Sequence, residues 1–136
     1  MFTSSATALG GREGSVKSSD NVINLDTAMP GSPRAKKLDK FTNPEQLFAA
    51  GYAACFDSAL QLMASKERVK FDSEVTANVS LLKEETDQGF KLSVSLQVKG
   101  TNIERSQLEE LVHKAHEVCP YSKATRGNIE VTLEVL

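Results

Sequence analysis

Hydrophobic and polar residues alternate strictly along two neighbouring stretches of the chain. Val75, Ala77, Val79 and Leu81 are interleaved with Glu74, Thr76, Asn78 and Ser80, and Phe90, Leu92, Val94, Leu96 and Val98 with Lys91, Ser93, Ser95, Gln97 and Lys99. A period of two gives each strand one face for a core and one for water. The turn-forming run Asp87 to Gly89 lies between them, which predicts an antiparallel hairpin. The pattern returns at the end of the chain, where Ile129, Val131, Leu133 and Val135 alternate with Glu130, Thr132 and Glu134 and predict a further strand.

Two segments follow the helical period instead. Asn43-Pro44-Glu45 is a helix start: an asparagine able to cap, a proline at the first turn and an acid at the positive end of the dipole. The helix should run to about Lys66. From Leu47 to Phe56 it carries no charge on any side, whereas a surface helix has a polar back, so it is predicted to be buried all round. Its Ala49, Ala50, Gly51, Ala53 and Ala54 have almost no side chain, and a crossing helix is the expected neighbour. A second helix is predicted from about Glu104 to Val118, because Leu108, Leu111, Val112, Ala115 and Cys119 share one face. Pro120 discourages its continuation, which leaves Cys119 at its C-terminal end.

The N-terminal third is punctuated by Gly10-Gly11, Gly14, Pro30-Gly31 and Pro33, which leaves room only for short strands such as Val22 to Leu25. A long loop is expected over 27–42. Its Arg34, Lys36, Lys37, Asp39 and Lys40 are of mixed sign and are assigned no chemistry.

With 136 residues, 40% hydrophobic and 25% charged, the chain fits one globular domain spanning 1–136. A net charge of -2 and the absence of tryptophan offer no basic face for nucleic acid or anionic lipid. Residues 1–10 lack the pattern of a secretory signal, and no uncharged apolar run approaches the roughly 18 residues of a spanning helix. No membrane partner and a cytoplasmic location are expected.

In a reducing compartment the two cysteines, Cys55 and Cys119, are small core residues or catalytic thiols rather than a structural disulfide. A catalytic thiol acts as its thiolate, and a positive group nearby stabilises that form and the charge that develops on a leaving group. Phe48, Tyr52 and Phe56 lie within about two helical turns of Cys55 and suggest an apolar, substrate-binding approach. His113 and His116 are spaced i, i+3 without a third evident ligand, and exposed helix positions are expected for both rather than a metal site.

Three segments turn these alternatives into a family resemblance. TNPEQLFAAGYAACF at 42–56, EVCPYSKATRGN at 117–128 and the shorter GGREG at 10–14 resemble, in order, the signatures of the organic hydroperoxide resistance proteins of the OsmC/Ohr family. The resemblance implies an α+β OsmC-like fold, with antiparallel sheets wrapped around central helices in an intertwined homodimer. It implies Cys55 as peroxidatic thiol, Cys119 as resolving thiol, Arg12 as the guanidinium beside the thiolate and Glu45 as the carboxylate that orients it. It also implies reduction by an external dithiol, dihydrolipoamide or a lipoylated protein, with no bound cofactor, metal or flavin. The chain departs from many members just before Thr42, where Lys36-Lys37-Leu38-Asp39-Lys40-Phe41 replaces a glycine-rich run.

Two other readings compete. A peroxide-responsive redox sensor or binding module would consume about one equivalent of peroxide and stop. The osmotically inducible branch of the same fold shares the two cysteines, but GGREG and CPYSKATRGN argue against it. Helix geometry adds one expectation. Ten residues separate Glu45 from Cys55, about 15 Å along an axis and roughly 80° around it, so a compact site is expected to take Glu45, and with it Arg12, from the partner chain.

Overall fold

A computed structural model describes residues 1–136. The chain divides into two compact units, Met1–Leu47 and Phe48–Leu136.

The first unit holds a three-stranded antiparallel sheet in the order β1 (Ala6–Leu9), β2 (Ser15–Ser18), β3 (Asn24–Asp26). The strand expected at Val22 to Leu25 is therefore shifted, because Asn21 takes a positive φ and extends the turn before it. The sequence reading missed β1 and β2, which have too few apolar residues to show a period. The loop expected over 27–42 contains a helical turn, α1 (Pro33–Lys37), capped by the Ser32 side chain, which accepts from the Ala35 N–H at 3.1 Å. Thr27 and Thr42 form an isolated parallel bridge across it.

In the second unit, β4 (Asp72–Lys83) and β5 (Phe90–Thr101) form the expected hairpin, pairing Val75 with Val98 and Leu81 with Leu92. One expectation fails at β6 (Val131–Val135), which pairs with β5 in parallel, so this sheet is mixed rather than antiparallel. A parallel neighbour needs a crossover, supplied by α3 (Arg105–Val118) and a short α4 (Pro120–Thr125). Pro120 does stop α3, but it also occupies the first turn of α4, where its missing N–H costs nothing.

The long helix α2 runs Pro44–Lys66, and Asn43 caps it by accepting the Gln46 N–H at 2.8 Å. Its Tyr52, Phe56, Leu60 and Met63 pack with Leu108, Leu111, Val112 and Ala115 of α3 against Val94, Leu96 and Val98 of β5. Burial of α2 all round does not occur within the single chain. Ala50, Ala54, Ser58 and Leu62 recur at every fourth position along an exposed face. By length and composition alone α2 could cross a membrane, yet its inner face is part of this core. At Gly51 the space is filled from a helix, α4, but by a side chain and not by close approach of its backbone. A Cβ on Gly51 would lie 2.6 Å from the Tyr121 hydroxyl, so the missing side chain makes room for an aromatic ring.

Candidate functional site

The two cysteines meet inside the second unit. Cys55, half-buried on α2, and Cys119, fully buried between α3 and α4, are free thiols with their Sγ atoms 3.7 Å apart. Cys119 ends α3 by donating its N–H to the Ala115 carbonyl at 2.8 Å, and its own carbonyl receives the Lys123 N–H of α4 at 2.9 Å. The cysteine is thereby fixed at a corner between two helices. Burial, above all, pushes the Cys55 thiol up from its ordinary range; the Tyr121 backbone N–H draws it down, and Cys119 adds to the rise.

Around the thiols lies an aromatic cluster. The Phe48 ring stands 6.2 Å from Tyr52 and 6.1 Å from Tyr121, and Tyr52 and Tyr121 are 5.6 Å apart. Tyr52 and Phe56 are completely enclosed in the core, while Phe48 is half-buried and Tyr121 stays 37% exposed. Tyr121 was missed by sequence reasoning. Its only signal was its place two residues after Cys119.

Arg12 and Glu45 meet inside the first unit. The guanidinium holds both carboxylate oxygens, Nη1 to Oε2 at 2.8 Å and Nη2 to Oε1 at 2.7 Å, in a two-pronged pair. The hydrogen bond from Arg12 holds the Glu45 carboxyl below its usual range against the opposing effect of burial, and Glu45 raises the arginine in turn.

Arg12 projects from a 3₁₀ turn, Gly11–Glu13, that only glycines can frame. Gly10 and Gly11 have φ of 75° and 59°, and a Cβ on Gly14 would strike the Leu9 carbonyl oxygen. Thr27 ties the turn together, accepting the Gly14 N–H at 2.8 Å and donating to the Gly11 carbonyl at 2.7 Å. Arg34 then donates Nε to the Thr27 carbonyl and Nη2 to the Gly14 carbonyl, both at 2.9 Å. Leaving Arg34 in a loop with no role therefore overlooked a structural clamp, because the carbonyls it satisfies come together only in the fold.

His113 is exposed as expected, but His116 is not. Its Nδ1 lies 2.8 Å from Ser122 Oγ, and its ring packs 6.4 Å from that of Phe56. Burial first, then the Arg126 and His113 charges, lower its pKa, with Glu117 opposing them. A histidine depressed in the fold stabilises it fully above the unfolded value near 6.5, and that contribution is lost as pH falls from there towards the lower folded value. The melting temperature of the protein should therefore decline as pH drops below about 6.5, and His116→Gln should flatten the decline. An unchanged pH profile in that variant would assign the loss to other groups.

Comparison with known proteins agrees in sequence and fold. Residues 37–134 match the family described as OsmC-like protein. The chain is 73% identical to the organic hydroperoxide resistance protein OhrA of Bacillus subtilis over 99% of its own length and 96% of that protein's. The chain belongs to the OsmC/Ohr family. The B. subtilis OhrB crystal structure, at 50% identity, superposes with a TM-score of 0.93 over 99% of this chain and 98% of that one. An organic hydroperoxide resistance protein from Legionella pneumophila, at 46% identity and covering 99% and 97%, gives 0.87. The α+β OsmC-like fold expected for an OsmC/Ohr member is the fold observed.

Proposed function

We propose that the protein is a cysteine-based peroxidase that reduces organic hydroperoxides to alcohols. The observation that carries this reading is the approach of Cys55 and Cys119 to 3.7 Å in a chain whose relatives are named for hydroperoxide resistance. The Cys55 thiolate attacks one peroxide oxygen, the O–O bond breaks, and the alkoxide leaves as an alcohol once protonated. Cys55 is left as a sulfenic acid. Cys119 then attacks that sulfur, expelling hydroxide, which leaves as water, and a Cys55–Cys119 disulfide forms. An external dithiol, dihydrolipoamide or a lipoylated protein, returns both thiols, with no bound cofactor.

The thiolate needs a cation, since burial pushes the Cys55 thiol up from its ordinary range. The Arg12 guanidinium, oriented by Glu45, is assigned that role. It comes from the partner chain of a homodimer, with all of 1–136 acting as one domain. Support for a dimer lies in apolar surface that one chain leaves open. No side chain of β1, β2 or β3 is fully buried, Leu9 and Val22 are 71% and 82% exposed, and α2 shows an uncharged stripe. Phe48 and Tyr121, the rings that keep exposed surface, are assigned contact with a hydrocarbon tail, while Tyr52 and Phe56, expected in that role, are wholly enclosed. The protein acts in the cytoplasm.

The test is turnover of cumene hydroperoxide against hydrogen peroxide, with dihydrolipoamide or thioredoxin as donor. Sustained turnover is expected with cumene hydroperoxide and dihydrolipoamide, at a kcat/KM at least about ten-fold above that for hydrogen peroxide. Consumption that stops after one equivalent would instead identify a redox sensor.

A further inference from the structure

Beneath the two thiols the core of the second unit contains a small set of polar groups. Ser122 Oγ is fully buried, 2.8 Å from Tyr52 Oη and 2.8 Å from His116 Nδ1. Thr125, also buried, lies 3.2 Å from Tyr52 Oη and donates to the Ser122 carbonyl at 3.2 Å. The Arg126 guanidinium donates to the His116 carbonyl. No buried side-chain polar atom in the protein lacks a partner.

One hydroxyl thus joins three helices. Tyr52 is on α2, one turn before Cys55; His116 is on α3, one turn before Cys119; Ser122 is on α4, one turn after Cys119. These are the elements whose mutual placement sets the distance between the sulfurs. An apolar contact would tolerate sliding, whereas a hydrogen bond weakens steeply away from its distance and angle. Removing the Ser122 hydroxyl leaves Tyr52 with Thr125 alone, at 3.2 Å, and takes from His116 Nδ1 its Ser122 partner, so the seating of all three helices is loosened together. The Tyr121 ring of α4 lies against Gly51 and beside Tyr52, a further contact between α2 and α4.

We propose that Ser122 is a positioning residue for disulfide formation: through Tyr52 and His116 it holds Cys119 where its sulfur attacks the Cys55 sulfenic acid. The inference rests on the peroxidase reading above. In the step concerned, Cys119 supplies the electron pair of the new S–S bond and the sulfenic S–OH bond breaks. Hydroxide departs with the Cys119 proton as water. The competing step is attack of the sulfenic sulfur on a second hydroperoxide, whose O–O bond breaks to give a sulfinic acid and another alcohol. Correct seating favours the first step over the second. The sulfurs must close from 3.7 Å to about 2.05 Å, a movement that a small misplacement of α4 would lengthen.

The measurement is the partition of Cys55 between disulfide and sulfinic acid, read by mass spectrometry across a cumene hydroperoxide series with dihydrolipoamide as donor. Ser122→Ala is expected to lower the peroxide concentration giving half over-oxidation by about ten-fold, and to slow first attack less than disulfide formation. Tyr52→Phe, which keeps its ring in the core, should give the same shift, and the double variant no larger one. Should Ser122→Ala fail to fold, Tyr52→Phe carries the test alone. Wild-type partition in folded variants, or losses that simply multiply in the double variant, would overturn the inference while leaving the peroxidase reading intact. A wild-type protein that consumes no hydroperoxide would overturn both.

Discussion

Cys55→Ser is expected to consume no organic hydroperoxide, with a rate lowered by at least about a thousand-fold, because a hydroxyl cannot supply the nucleophile that a thiolate does. Cys119→Ser should behave differently. Its Cys55 still attacks once, but the sulfur that lay 3.7 Å away is gone and the sulfenic acid persists. A second hydroperoxide then drives it to the sulfinic acid, seen as a gain of about 32 Da on Cys55 at peroxide concentrations where the wild type still forms its disulfide. Both side chains are close to isosteric with the originals, and neither change introduces a charge, so circular dichroism should show both variants folded. Multiple turnover by Cys55→Ser would end the assignment of the nucleophile. Disulfide-free, sustained turnover by Cys119→Ser would end that of the resolving thiol.

Arg12→Ala should slow the peroxide step by about 10²–10³, the usual cost of removing one charge-stabilising donor from an active site. Its effect on folding should be small, since the guanidinium side chain is 38% exposed and an exposed pair contributes about 0–1 kcal/mol. Arg12→Lys should recover little, because an ammonium cannot grip both oxygens of Glu45 and still direct a donor elsewhere. The variant also tests the origin of the arginine. A heterodimer of Arg12→Ala and Cys55→Ser chains retains, if sites form across the dimer, one site in which an intact Cys55 meets an intact Arg12. Activity should then rise well above either parent. Heterodimers as inactive as the parents would assign Arg12 to its own chain, and a near wild-type rate in Arg12→Ala would transfer its role to Lys123 or Arg126.

The sequence by itself determined the elements whose causes are local. Asn43 and Pro44 start α2 where they stand because capping and φ restriction act within one turn. Alternation set the faces of β4 and β5, and the stripe from Leu108 to Ala115 set the inner face of α3. The motifs around Cys55, Cys119 and Arg12 carried the family, since short runs of residue types survive without any knowledge of contacts. Only the tertiary structure decided what depends on residues distant in the chain. It set the pairing of Arg12 with Glu45 across 33 positions, the approach of Cys55 to Cys119 across 64, and the parallel placement of β6. Ser122 illustrates the difference. In the sequence it is a serine after a tyrosine, polar and unremarked, and it becomes a junction of three helices because their packing buries its hydroxyl completely between Tyr52 and His116.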